Sequence, residues 1–325
     1  MNTEEQAPVL ILAHKRVAEF QAVFDQVLEA PLRRIYVFCD GPRDVKEAAA
    51  QKSIFEHSKS ARPQSQVFWN FQKVNLGLRQ GVITGIDWFL DKEEAGIILE
   101  DDTLPSPDFF DFCDRGLDLY RHSSTVQQIS GYNALGRGPW LPRPRKVHFF
   151  SPRMNCWGWA TWRDRWQNFR AAADIGDADP KRSHAPVGLY RELEGGHRRA
   201  TAGEVDSWAY SWAYYSLTQQ RLSVVPASNT VENIGFGPEA THTHFGGSAR
   251  VHPVAKNAVF PASVRVSLGF AYAEHFDARL KSRVRRLRKR IKGTLAWGSR
   301  VVLRRLCSYS SAATSRWSFR ADRNS

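Results

Sequence analysis

The stretch GIILEDDTLPSPDFFDF, residues 96–112, decides how this chain is read. It opens as an apolar run of the kind that fills the middle of a sheet, then breaks off in three consecutive carboxylates, Glu100, Asp101 and Asp102. Three like charges in a row repel one another and resist burial, so fold stability alone is a poor reason for them. A cationic partner is the physical expectation.

Outward from that stretch, the first half alternates strand and helix. PVLILA (8–13) is a short apolar run suited to a buried parallel strand, and Phe20, Val23, Phe24, Val27 and Leu28 follow it at helical spacing. RIYVFCDG (34–41), QVFWN (66–70) and VQQISGY (126–132) read as further strands. NLGLRQGVITGIDWFL (75–90) and SPDFFDFCDRGLDLY (106–120) read as helices, the second with proline near its start. Repeated βα units predict an α/β, doubly wound, mostly parallel sheet with helices on both faces. Ligands of such sheets bind beyond the carboxyl ends of the strands. His14 and Arg16, Asp40 with Gly41, and the acidic triplet all fall at those ends, so three strands deliver polar groups to one rim.

The second half is less regular. It holds the Trp-dense CWGWATWRDRW (156–166), the aromatic helix DSWAYSWAYYSLTQQ (206–220) and a glycine-bearing loop, NIGFGPEATHTHFGG (233–247). Among the eleven tryptophans, Trp159, Trp162 and Trp166 follow helical spacing and are read as core; at most one of the group that includes Trp157 is assigned to a ligand.

The 325 residues carry a net charge of +13, but the excess is local. From Arg279 onward there are fifteen Lys or Arg against one acid, Asp322, a balance of +14, while the preceding 278 residues balance to −1. Whole-protein basicity toward nucleic acid is therefore no argument. In the tail, Leu280, Val284, Leu287, Ile291 and Leu295 share one helical face, with Trp297 near the end. A basic amphipathic helix over about 279–306 suits an anionic membrane surface first, packing on the domain second and nucleic acid third. Cys39, Cys113, Cys156 and Cys307 show neither CxxC spacing nor a dense framework, the N-terminus lacks a signal-peptide order, and no apolar run reaches the ~20 residues of a membrane span. The expected location is cytoplasmic, peripheral on the inner membrane face. The expected division is a domain over 1–275, with a nucleotide-binding half (1–135) and an acceptor-side half (136–275), followed by a partly disordered tail over 276–325.

A carboxylate pair just past a strand fits Mg²⁺ or Mn²⁺ bridging protein to a substrate diphosphate. Taken alone, the triplet is read equally well as a helix cap at Asp102 with its neighbours in solvent. The ordered set AHKR after strand one, CDG after strand two, NLGLRQG before a helix and LEDD after strand four resembles a GT-A glycosyltransferase, more narrowly N-acetylglucosaminyltransferase I and its bacterial relatives. The resemblance covers roughly residues 8–245 and is strongest to about 131. It implies Arg16 and Asp40 at a uridine nucleotide, Arg79, Glu100 and Asp101 in the same donor site, and Asp102 on the metal. The family's acid-before-tryptophan element is matched by EVDSW (204–208), which implies Asp206 as the general base, with Glu204 in reserve because Ser207 separates Asp206 from Trp208. The alternative role for Asp206 is a helix N-cap. His242 and His244 offer a further metal ligand or a diphosphate contact, or are polar loop histidines; His242 is the one carried forward as a ligand.

The implied chemistry is metal-dependent transfer of a sugar from a UDP-linked donor to a hydroxyl of a saccharide or lipid-linked saccharide, with inversion, in bacterial surface glycan synthesis. The alternatives are a sugar-nucleotide nucleotidylyltransferase, against which LAHKRVAEF lacks a glycine-rich phosphate loop, and a non-catalytic membrane- or nucleic-acid-binding protein, against which the acids at both sites are intact.

Overall fold

The computed structural model describes residues 6–136, 148–172, 175, 185–235, 260, 264–280 and 283. The chain divides into two compact units, Met1–Glu274 and His275–Ser325. Within the first, an eight-stranded sheet runs in the order β3-β2-β1-β4-β8-β6-β9-β7. These strands are β1 (Val9–Ala13), β2 (Ile35–Cys39), β3 (Val67–Phe71), β4 (Ala95–Glu100), β6 (Val126–Ser130), β7 (His148–Ser151), β8 (Trp159–Trp162) and β9 (Leu222–Pro226). β3, β2, β1 and β4 pair in parallel, β6 pairs in parallel with β9, and β8 and β7 run against their neighbours. A two-stranded ribbon joins β5 (Thr103–Pro105) to β10 (Val231–Asn233).

The continuous apolar runs have a simple cause. Along β1, Val9, Ile11 and Ala13 face one apolar layer while Leu10 and Leu12 face the other, so both sides of the sheet are covered. The first layer includes α1 (Val17–Glu29), Ile54 of α2 (Val45–Ser58) and α4 (Pro107–Leu119); the second includes α3 (Gly77–Leu90), α5 (Arg163–Ala171), α6 (Val187–Thr201) and α7 (Ala209–Thr218). β3 forms an edge and leaves Phe68 and Trp69 exposed. At the opposite edge, Ser267 donates its amide to the carbonyl of Phe150 in β7 (2.9 Å), and the Phe270 ring stacks on Phe149 at 4.3 Å.

The tryptophans need a correction. Trp159 and Trp162 lie on strand β8, not on a helix. Three residues apart on a strand, they point to opposite faces, Trp162 into the α1/α4 layer and Trp159 into the layer shared with Trp166, Trp208 and Trp212. Their burial, as core, is as expected. The Trp212 indole donates to Gln128 Oε1 at 2.7 Å, which satisfies a polar side chain buried in β6.

Candidate functional site

The strand order reverses between β1 and β4, with β2 and β3 on one side and β8 onward on the other. A cleft of about 600 Å³ opens at that point beyond the strand carboxyl ends. Its floor is Glu100 and Asp101 at the end of β4; one wall is the turn His14–Lys15–Arg16 after β1. The other wall is Asp40 after β2, Asn75, and the start of α3 at Gly77, Leu78 and Gly81, with Asp206 reaching in from the α6–α7 connection. Five candidate residues far apart in sequence thus line one space: Arg16, Asp40, Glu100, Asp101 and Asp206.

The two aspartates of the acidic triplet are buried, not solvated, and Glu100 is half-buried. Asp101 and Asp102 are 5% and 6% exposed. Asp101 Oδ2 accepts the amide of His14 (3.3 Å), and Arg16 Nη1 donates to Asp101 Oδ1 (3.0 Å) and Asp102 Oδ2 (2.8 Å). One guanidinium therefore faces three carboxylates. Burial, reinforced by the neighbouring negative charges, pushes Glu100 up to about 8 and Asp101 up to about 6. Burial also raises Asp102. The cluster is short of positive charge, as its sequence suggested.

Asp102 Oδ1 is buried and has no hydrogen-bond partner among the described residues. Its other oxygen is crowded by the chain after β10, where a Cβ on Gly235 would fall 2.2 Å from Oδ2. The Asp102 carbonyl also accepts the amide of Ile234 (2.8 Å), so β10 is tied down beside it. Glycine is required for this close approach. An orphaned carboxylate oxygen in an under-neutralised acidic cluster fits a hard divalent cation. Among the described residues no three His, Cys, Asp or Glu side chains form a complete protein cage. A Mg²⁺- or Mn²⁺-type site built from one or two carboxylates and a substrate diphosphate does not need one. His242, the further ligand expected from sequence, lies outside the described residues, as does His244.

Asp40 is fixed on both oxygens. Oδ1 accepts the amides of Gly41 and Leu76, each at 2.8 Å, and Oδ2 accepts Asn75 Nδ2 at 3.1 Å. A Cβ at Gly81 would sit 3.2 Å from this carboxylate, which explains the second glycine of NLGLRQG. The first, Gly77, takes a φ of +79°, the left-handed region in which glycine is unstrained.

Asp206 has an unforeseen attachment. Its Oδ2 accepts the amide of Leu78 and its Oδ1 the amide of Arg79, each at 2.9 Å. The carboxylate caps α3, where the helix's own preceding residue, Leu76, supplies no side-chain cap. The N-cap expected of Asp206 on the helix that follows it is not made, since Trp208 precedes α7 (Ala209–Thr218) without a side-chain cap; the carboxylate serves the distant α3 instead. Arg79 Nη1 donates to the carbonyl of Ala200 (2.9 Å), bracing α3 against the end of α6. Glu204 is exposed and does not line the cleft.

Of the aromatic candidates, Trp157 is half-buried. It packs edge-on against Tyr132 at 4.7 Å, just before the close approach of Gly158 to Thr103.

No family model matches the chain, and no curated protein matches it. Among solved structures, it is similar to a mannosyltransferase of Pyrobaculum calidifontis in complex with GDP-Man and Mn²⁺, at 14% identity and a TM-score of 0.37 over 67% of this chain and 74% of that one. It is also similar to the glycosyltransferase GlyE of Streptococcus pneumoniae TIGR4, at 11% identity and a TM-score of 0.35 over 67% of this chain. This chain spans 45% of the length of GlyE.

Sequence reasoning passed over Asn75, Lys15, Arg43 and Glu47. Asn75 Nδ2 also donates to the carbonyl of Gly41 (2.8 Å), so it stitches the turn after β2 to the start of α3. The only local signal for Glu47 was the Asp-x-x-Glu spacing from Asp44, which marks a helix start.

Proposed function

We propose that the protein transfers a sugar from a nucleotide-sugar donor to a hydroxyl of a saccharide acceptor. The observation that carries this reading is the convergence of Arg16, Asp40, Glu100, Asp101 and Asp206 on one cleft at the strand-order reversal. A site built to hold a diphosphate and its metal needs acids and a cation side by side. A site built to deprotonate an acceptor needs a further carboxylate across the space.

In this reading Asp40, with its stitched loop, faces the nucleoside, and the turn His14–Arg16 faces the diphosphate. Asp102, through its buried and unpartnered Oδ1, and Asp101 would hold the divalent cation, which would supply several kcal/mol of stabilisation to charge developing on the departing diphosphate. Asp206 takes the proton of the acceptor hydroxyl. The acceptor oxygen forms its bond to the anomeric carbon as the carbon–phosphate-oxygen bond breaks, its electron pair leaving with the diphosphate. A carboxylate has about four lone-pair sites, and the α3 cap uses two, so Asp206 retains acceptor capacity. One base opposite one leaving group supports single displacement with inversion, through an oxocarbenium-like state. The finer assignments, a UDP donor, kinship to N-acetylglucosaminyltransferase I and a role in surface glycan synthesis, rest on the sequence resemblance.

The test is slow donor hydrolysis across a panel of UDP-, GDP-, CDP-, ADP- and dTDP-linked sugars, with and without Mn²⁺. Turnover of one nucleotide class only, dependent on the metal, is expected. No turnover or binding of any member would overturn the reading.

No helix among the described residues is long and apolar enough to cross a membrane. We propose that the basic tail docks the enzyme on an anionic cytoplasmic membrane face, since each basic residue near such a surface is worth ~1 kcal/mol. Truncation after residue 278 is expected to abolish binding to anionic vesicles while donor hydrolysis persists. Loss of hydrolysis in the truncated protein would instead make the tail a packed part of the domain.

A further inference from the structure

Behind the phosphate-facing wall of the cleft lies a carboxylate that does not line it. Glu47, in the first turn of α2, is buried, with its amide donated to Asp44 Oδ1 (2.9 Å). The side chain turns away from its own helix toward a cluster of bases. Oε2 accepts the amide of Arg43 (2.9 Å), and the Arg43 guanidinium forks onto the carboxylate, Nε donating to Oε2 (3.1 Å) and Nη2 to Oε1 (2.5 Å). Lys15 Nζ lies 3.6 Å from Oε1, and His14 Nε2 lies 3.3 Å from Oε2. His14, Lys15 and Arg43 all line the cleft.

Lys15 and Arg43, cations from two different loops, would repel each other if left alone, and their long side chains lose rotamer entropy when ordered. A single buried carboxylate offsets both costs. It draws the three heads to one point on the side away from the cleft. The Arg43 fork uses Nε and Nη2, and an ammonium keeps two further donors after one contact. The Arg43 hydrogen bonds in turn hold the Glu47 carboxyl down at about 2, so the hub stays charged through the physiological range. The other cation of this wall, Arg16, is committed separately to Asp101 and Asp102. The cleft thus has two differently held cation sets, one neutralising the acidic floor and one available to an anionic ligand.

We propose that Glu47 is the positioning residue of a diphosphate-recognition rim, holding His14, Lys15 and Arg43 from behind so that their remaining donors converge on the phosphates of a nucleoside diphosphate. This rests on the nucleotide-sugar reading of the cleft and deepens it. It identifies the groups that would separate a phosphate-bearing ligand from a bare nucleoside.

The sign of the effect is diagnostic. Glu47→Gln keeps the side chain's shape but removes a negative charge beside the cleft. By simple electrostatics this would tighten binding of an anion. If Glu47 works by positioning, binding weakens instead. Titration of the full chain with uridine diphosphate, guanosine diphosphate and the corresponding nucleosides, in Mn²⁺, reads this directly. The expected result is a Kd for the recognised diphosphate about tenfold higher in Glu47→Gln, with nucleoside affinity unchanged. Arg43→Gln should show a similar loss, and the double variant little more than either, because the two act as one unit. Should Glu47→Gln lower the melting temperature sharply, Glu47→Asp keeps the negative charge but withdraws it from the three heads, so the same loss of diphosphate affinity is expected from positioning and none from electrostatics. Unchanged or tighter diphosphate binding in Glu47→Gln, or full additivity with Arg43→Gln, would overturn the inference while leaving the nucleotide-sugar reading intact. A wild-type protein that binds neither diphosphate would remove both.

Discussion

Asp102→Asn is expected to remove the metal dependence of nucleoside diphosphate binding while making the metal-free protein more stable at neutral to alkaline pH. The two halves of this result have one cause. Asp102 adds a buried negative charge to a cluster that already holds Glu100 and Asp101, and its Oδ1 has no partner among the described residues. Such a charge is a cost to the fold unless a cation answers it. The amide is nearly isosteric and cannot supply the missing charge to a hard cation. Outer-shell partners of a metal alone are worth ~10–100-fold in affinity, so loss of a ligand should cost Mn²⁺-supported binding by about a hundredfold or more. Calorimetric titration with Mn²⁺ present, and again in excess chelator, measures it. Equal affinity in chelator for the wild type would end the metal role.

The pH dependence follows with a definite sign. Glu100 is raised from 4.5 to about 8 and Asp101 from 3.8 to about 6, so both bind protons more tightly folded than unfolded. Below about pH 4 both states are protonated and the cluster costs nothing. As pH rises through about 4 to 8 the unfolded chain ionises first, and stability of the metal-free protein declines. Thermal melts of metal-free protein should therefore fall over that window. The fall should be shallower in Asp102→Asn, because one repelling charge is gone. Added Mn²⁺ should raise the wild-type melting temperature more at pH 8 than at pH 5.

Much of the first half of the chain was readable because its elements are stereotyped. β1, β2 and β4 are short apolar runs buried on both faces, and polar residues stand at the same rim, His14 just after β1, Asp40 just after β2 and Glu100 at the end of β4. β8 was misread for the same physical reason in reverse. A strand buried on both faces carries no period-two alternation, and tryptophans at 159 and 162 imitate a helical stripe. β7 has only four residues, and no strand was read there from the sequence. At the site, the identity of the acids was legible but their attachments were not. Asp206 and α3 are 127 residues apart at Arg79, and nothing local in EVDSW announces a helix beyond its own. Glu47 announced only a helix start, because a capping-box spacing looks the same whether its glutamate turns back to the backbone or outward to Arg43 and Lys15. Arg16 lines the cleft, and the pairing of its guanidinium with Asp101 and Asp102, set by β1 and β4 being neighbours in the sheet, had no local signal.

Asp206→Asn is expected to lower turnover by at least the ~10²-fold that a positioned general base contributes, with donor affinity little changed. The cap on α3 complicates the reading and also sharpens it. An asparagine can accept only one of the two amides of Leu78 and Arg79, and it turns its own NH₂ toward the other. A cost of about 1 kcal/mol in stability is therefore expected whether or not the residue is catalytic. Stability alone cannot separate the roles, but chemical rescue can. Added formate should restore part of the turnover of Asp206→Ala if the missing group is a base. A residue that only caps α3 would give no such rescue. Glu204 is the control. It is exposed and outside the cleft, so Glu204→Gln should retain near-wild-type turnover. If Glu204→Gln abolishes turnover while Asp206→Asn preserves it, the base lies two residues upstream and Asp206 is a cap alone. The stereochemistry of the product tests both carboxylates together. The proposed single displacement, with Asp206 or Glu204 as base, requires inversion at the anomeric carbon. A product that keeps the donor's configuration would exclude single displacement for either residue.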